Sequence, residues 1–131
     1  MLLDTSGLLC FFDDKDFRNT TAARFIETAD IRLTTSYVLA EFIPLCQARG
    51  LNRKRTLEFV ETLLKNPLIE IVWIDENLHH RGFTLLQNRI DKNYSLCDAV
   101  SFIIMRERGL TEALTTDKHF AQEGFIKLLE S

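Results

Sequence analysis

Helix and strand breakers are scarce: the 131 residues contain two prolines and five glycines. Nothing resembles a Pro/Gly-rich linker, a low-complexity tract or an internal repeat. Cysteine is sparse too. Cys10, Cys46 and Cys97 are odd in number, lie in apolar or helical contexts and form no CxxC pair. A disulfide framework and a thiolate zinc site are both excluded, and small buried thiols in a reducing compartment are expected. No segment nears the ~18 uninterrupted apolar residues of a membrane span. Asp4 breaks the first apolar run and no basic stretch precedes it, so no signal peptide is expected and the chain reads as soluble and cytoplasmic. Positive charge is also lacking. The net charge is −3, where a protein held to nucleic acid by phosphate contacts alone is usually basic.

Apolar bulk is what remains. Hydrophobic residues make up 46% of the chain and ten residues are Phe, enough for one domain over 1–131 to fill a core with aromatic mass. Short apolar runs alternate with amphipathic stretches. Met1–Leu3, Ile31–Thr34, Ile69–Ile74, Ala113–Thr115 and Phe125–Leu129 read as strands. Between them the patterns are helical, with start signals at Thr5 or Ser6, Asn19 or Thr20, Thr35 or Ser36, Asn52, Asp75, Ser95 and Asp117. Gly50 and Gly109 follow two of these helices. In the fourth helix Leu57, Val60, Leu63 and Leu64 are expected to face inward. Strand–helix alternation predicts an α/β fold: a parallel sheet with helices on both faces.

Ligands of such sheets bind beyond the carboxyl ends of the strands. Asp4 ends the first strand and Asp117 follows the fourth, so both can reach one edge, although each also suits a helix cap or turn. Glu41 is placed on the stripe formed by Val38, Phe42 and Leu45, where a charge is costly unless paired or bound to a metal. The nearest basic residues, Arg49 and Arg53, lie two or more turns away. Asp98 is three residues after Ser95, which fits a capping box, yet Asp is shorter than the usual Glu or Gln. Gathered without a cation, four carboxylates would repel one another, and Mg²⁺ or Mn²⁺ would relieve this.

The segments MLLDTSGLL, TTSYVLAEF, YSLCDAVSFIIMRERG and LTTDKHF resemble, in order and spacing, the four acidic blocks of PIN domains, in particular the VapC-type toxins of toxin–antitoxin pairs. The resemblance covers essentially the whole chain. It implies a three-layer α/β/α fold whose five-stranded sheet runs in the order 3-2-1-4-5. It implies that Asp4, Asp98 and Asp117 hold Mg²⁺ or Mn²⁺, that Glu41 acts on the ion directly or through a water, and that Thr5, Ser6 and Thr116 support these acids. The implied activity is endonucleolytic cleavage of RNA, with a small antitoxin and a homodimeric assembly as expected partners.

One departure is Pro44, three residues after Glu41, which is expected to kink the helix and disturb the aim of Glu41. His119 reads as packing or loop support rather than a general base, and His79 and His80 as surface residues. Arg49, Arg53, Lys54 and Arg55 form a basic cluster, either plain solvated surface or a phosphate contact at the rim of the site. The hairpin from Leu45 to Leu64 is also a candidate partner surface. Three functions compete: a toxin nuclease, an RNA-processing nuclease without an antitoxin, and a catalytically silent PIN fold that binds RNA. The presence of all four acids argues against the third.

Overall fold

The computed structural model describes residues 1–131. Its strands are β1 (Leu2–Leu3), β2 (Leu33–Thr35), β3 (Glu70–Val72), β4 (Glu112–Leu114) and β5 (Ile126–Lys127). Its helices are α1 (Thr5–Phe12), α2 (Asn19–Thr28), α3 (Ser36–Ala48), α4 (Arg53–Lys65), α5 (Glu76–Asn88), α6 (Leu96–Arg108) and α7 (Lys118–Gln122). The sheet order is β3-β2-β1-β4-β5 and every pairing is parallel, as expected. Four of the strands are shorter than the apolar runs that announce them, and β4 has the same length, shifted by one residue. Chain order reverses at β1, whose Leu2 pairs with Leu33 on one side and Ala113 on the other.

Alternation along β1 creates two cores. Leu3 joins the cluster under α1 to α4, whereas Leu2 joins the one under α5 to α7. Each holds a group of aromatic rings. On the first face Phe12 packs edge-on against Phe42 at 5.9 Å and lies 4.9 Å from Phe59. On the second, Phe102 meets Phe120 at 4.9 Å and stacks on Phe125 at 5.7 Å. Such rings each contribute roughly 1.5–3 kcal/mol by burial. They anchor both helical layers to very short strands.

Gly7 lets α1 lie directly on β4. A Cβ there would stand 1.9 Å from the Leu114 carbonyl oxygen. The same oxygen accepts the Asp4 backbone N–H at 3.1 Å, so Gly7 and Asp4 are set against β4 together.

Caps fall where the sequence places them on α3 (Thr35), α4 (Asn52), α5 (Asp75), α6 (Ser95) and α7 (Asp117). α1 differs: its N-cap is Asp4, whose side chain makes no cap bond. The inward assignment of α4 also needs correction. Thr56, Val60 and Leu63 are buried, but Leu57 and Leu64 are 42% and 45% exposed. Adjacent positions rotate about 100° around a helix, so Leu64 leaves the stripe that Leu63 occupies. α3 runs on through Pro44 without a break. Ala40 and Pro44 are both exposed, which lets water take the carbonyl freed by the missing N–H.

Candidate active site

Asp4, Asp98 and Asp117 are each delivered to the carboxyl edge of the sheet by the start of a helix. Asp4 is the N-cap of α1, Asp98 the third residue of α6, and Asp117 the N-cap of α7. Helix N-termini carry partial positive charge, which lowers the cost of gathering acids there. Asp4 and the β4–α7 turn flank the reversal in strand order, the usual location of sites in open parallel sheets.

Asp4 is buried, and Thr115 Oγ1 donates to its Oδ2 at 2.7 Å. Burial is the main force raising its pKa to about 7, with the charges of Asp98 and Glu41 adding and the Thr115 bond opposing. Having given its one proton to Asp4, Thr115 Oγ1 accepts from the Asp117 N–H at 3.0 Å and from Ser6 Oγ at 3.1 Å. Ser6 Oγ in turn accepts the Thr116 N–H at 2.9 Å. One hydroxyl thus binds the Asp4 carboxylate to the backbone of the Asp117 turn.

Asp98 holds its place through the capping box. Ser95 N–H donates to Asp98 Oδ2, and Asp98 N–H donates to Ser95 Oγ, both at 3.0 Å. The cap and the site therefore share one residue. Burial and the neighbouring Asp117 charge raise the Asp98 pKa, opposed by the Ser95 N–H and His119. Cys97, packed beside Asp98, has its thiol pushed far up by burial and by the charges of Glu41, Asp4 and Asp98. It is a poor nucleophile.

His119 Nδ1 lies 3.2 Å from Asp98 Oδ2 and 3.3 Å from Asp117 Oδ1. Ligand atoms from Asp98, Asp117 and His119 all fall within 4.8 Å of one another. The imidazole is the only ion-pairing group that reaches any of the four carboxylates.

Glu41 stands differently from its sequence-based placement. It is exposed rather than buried on the apolar stripe, because Val38, Leu39, Phe42 and Cys46 supply the buried face of α3. It still points to the site: Thr5 Oγ1 donates to Glu41 Oε1 at 2.9 Å. Thr116 also needs correction. It contributes its backbone N–H to Ser6, and the hydroxyl on Asp4 belongs to Thr115. Thr115 is fully buried at the end of a strand, and a polar residue in that setting was the available signal. The part of His119 was missed because only the α6–α7 packing brings it to Asp98. Arg55 of the basic cluster stands away from the acids. Arg55 lies over the Phe12 ring at the C-terminal end of α1, while Asp4 and Thr5 are at its N-terminal end. An eight-residue helix puts ~12 Å between them.

The PIN domain family model matches residues 1–125 of this chain. The chain belongs to the PIN domain family. Among curated proteins it is similar to the 23S rRNA-specific endonuclease VapC20 of two Mycobacterium tuberculosis strains. Each is 25% identical over 129 residues, spanning 98% of this chain and 97% of the relative. The crystal structure of Mycobacterium tuberculosis VapC20, a sarcin-ricin loop cleaving toxin, matches this PIN domain with a TM-score of 0.87. It has 24% identity and 96% of each chain is covered, a likeness of fold.

Proposed function

We propose that this PIN domain is a divalent-metal-dependent endoribonuclease and the toxin of a type II toxin–antitoxin pair. The observation that carries this is the convergence of Asp4, Asp98, Asp117 and Glu41 at the carboxyl edge with no Lys or Arg to neutralise them. The donor set fits a hard dication: all four are carboxylates, and Asp4 bears a raised pKa that a bound positive charge would reverse. Asp4, Asp98 and Asp117 would hold Mg²⁺ or Mn²⁺, with Glu41 at the solvent side. When bound, such an ion would lower the pKa of water and neutralise charge building on a phosphate.

The protein's own groups do the positioning. Thr115 fixes the Asp4 carboxylate, and the capping box fixes Asp98. Thr5 holds Glu41 by Oε1, leaving Oε2 free to take a proton from an attacking water at the mouth of the site. Arg49, Arg53 and Arg55 are proposed to meet RNA phosphates away from the cleaved bond. The hairpin of α3 and α4, with Leu57 and Leu64 exposed on α4, is proposed as the surface for an antitoxin or a second copy. No helix is long and apolar enough to cross a membrane. We propose the cytoplasm as the place where it would meet its RNA.

Incubation with total RNA, with and without Mn²⁺ or Mg²⁺ and with cut ends mapped, tests the nuclease. The relatives named for 23S rRNA make structured rRNA loops the first substrates to try. Discrete metal-dependent ends that vanish in Asp98→Asn support the assignment, and uncut RNA under all conditions rejects it. Growth arrest on expression, relieved by the product of a neighbouring small reading frame, distinguishes a toxin from an RNA-processing enzyme.

A further inference from the structure

His119 is the one basic group inside the acidic site, and its place there is fixed three ways. Its backbone N–H donates to Asp117 Oδ1 at 2.9 Å, which ties it to the start of α7. Its ring meets the Tyr94 ring edge-on at 5.1 Å, which sets the imidazole plane. Phe120, the next residue, is fully buried against Phe102 and holds α7 down. In this setting Nδ1 faces Asp98 Oδ2 at 3.2 Å and Asp117 Oδ1 at 3.3 Å.

Those separations suit two arrangements. A single Nδ1–H can satisfy one carboxylate well, or both poorly. Neighbouring ligands around a cation with bonds of about 2.1 Å also stand ~3 Å apart, and a shared ion would satisfy all three atoms at once. Asp98 Oδ2 already accepts the Ser95 N–H, so its need for a further donor is small. The second arrangement therefore accounts for more of the geometry.

We propose that His119 Nδ1 is a nitrogen ligand of the site's cation, beside Asp98 and Asp117, and that it makes the site prefer Mn²⁺ to Mg²⁺. This rests on the metal-dependent reading above. Mg²⁺ takes oxygen ligands in near-ideal octahedra, whereas imidazole suits transition ions and Mn²⁺ accepts a mixed set. Coordination requires the neutral ring with its proton on Nε2, and any proton on Nδ1 leaves to solvent on binding.

Pulsed electron paramagnetic resonance of the Mn²⁺-loaded protein reads the nitrogen directly. The wild type is expected to show coupling from a bound nitrogen, and His119→Asn is expected to lose it. Asn keeps an amide close to the Nδ1 position, able to hydrogen-bond but offering no nitrogen donor. In calorimetric titrations Mn²⁺ affinity should fall on the order of tenfold to a hundredfold in His119→Asn. Mg²⁺ affinity should fall less, so the preference for Mn²⁺ shrinks. Mn²⁺ bound to the wild type without nitrogen coupling overturns the ligand assignment alone. An equal loss of both metals in the variant overturns the preference for Mn²⁺ over Mg²⁺. A wild type that binds neither metal overturns the metal-dependent reading, and the ligand assignment with it. The wild-type spectrum needs no variant, so a folding defect in His119→Asn cannot mask the result.

Discussion

Replacing Asp4 by Asn is expected to stabilise the metal-free protein at neutral and alkaline pH. The carboxyl is buried, and its pKa rises from 3.8 to about 7 on folding. The folded state thus binds this proton more tightly than the unfolded chain. The associated stability is fully present below about pH 4 and is lost as pH climbs through 7. At roughly 1.4 kcal/mol per pH unit, the full cost above pH 7 is about 4 kcal/mol. Relaxation and water entry bring this to roughly 2 kcal/mol in practice. Asn keeps the shape and still accepts from Thr115 Oγ1, so the variant avoids that cost. For a chain of this size ~2 kcal/mol is a rise of about 6–10 °C in Tm. The assay is thermal unfolding by circular dichroism in EDTA, at intervals from pH 4 to 8.5. The two proteins should melt alike near pH 4 and separate steadily to pH 8. With Mn²⁺ the order should reverse, because binding to the native wild type adds about 2.7 kcal/mol at a hundredfold excess over Kd and the variant binds weakly. Parallel curves across the whole range would refute the reasoning, since they would mean that Asp4 carries no ionisation cost.

Asp98→Asn should lower RNA cleavage by about a hundredfold or more while the fold melts within a few degrees of wild type, because Asn preserves much of the capping box; unaltered cleavage removes Asp98 from the site. Thr115→Val deletes the hydroxyl that joins Asp4, Ser6 and the Asp117 turn, and should cost about 1–3 kcal/mol in chemical denaturation, with Thr115→Ser restoring most of it. Gly7→Ala drives a methyl into the Leu114 carbonyl and should cost more than about 3 kcal/mol or abolish soluble expression; a normal melt would contradict the close approach of α1 to β4. Changing Arg49, Arg53 and Arg55 to Ala should weaken RNA binding and flatten its salt dependence by roughly 0.7 per lost phosphate contact, with Mn²⁺ affinity unchanged; an unchanged salt slope takes the cluster out of RNA recognition.

Several features were fixed by local chemistry and so could be read from the chain alone. Ser95, Asn52, Asp75 and Gly109 mark helix ends because capping is decided by a side chain and the few backbone groups beside it. Strand–helix alternation specified parallel pairing, since parallel neighbours require a crossover. The order of the strands came from resemblance to PIN domains, not from any pattern in the residues. Asp4, Asp98 and Asp117 were nameable because each sits at the junction of a strand or loop with a helix start. Their mutual distances depend on how α1, α6 and α7 dock on the sheet. The exposure of Glu41, Leu57 and Leu64 was decided there too, because a helix's apolar residues show its stripe but not how much of it neighbours will cover. Thr115 reaches Asp4, and His119 reaches Asp98, through pairs 111 and 21 residues apart in sequence. Whether a hydroxyl meets a carboxylate, or an imidazole two of them, depends on tenths of an ångström that packing alone sets.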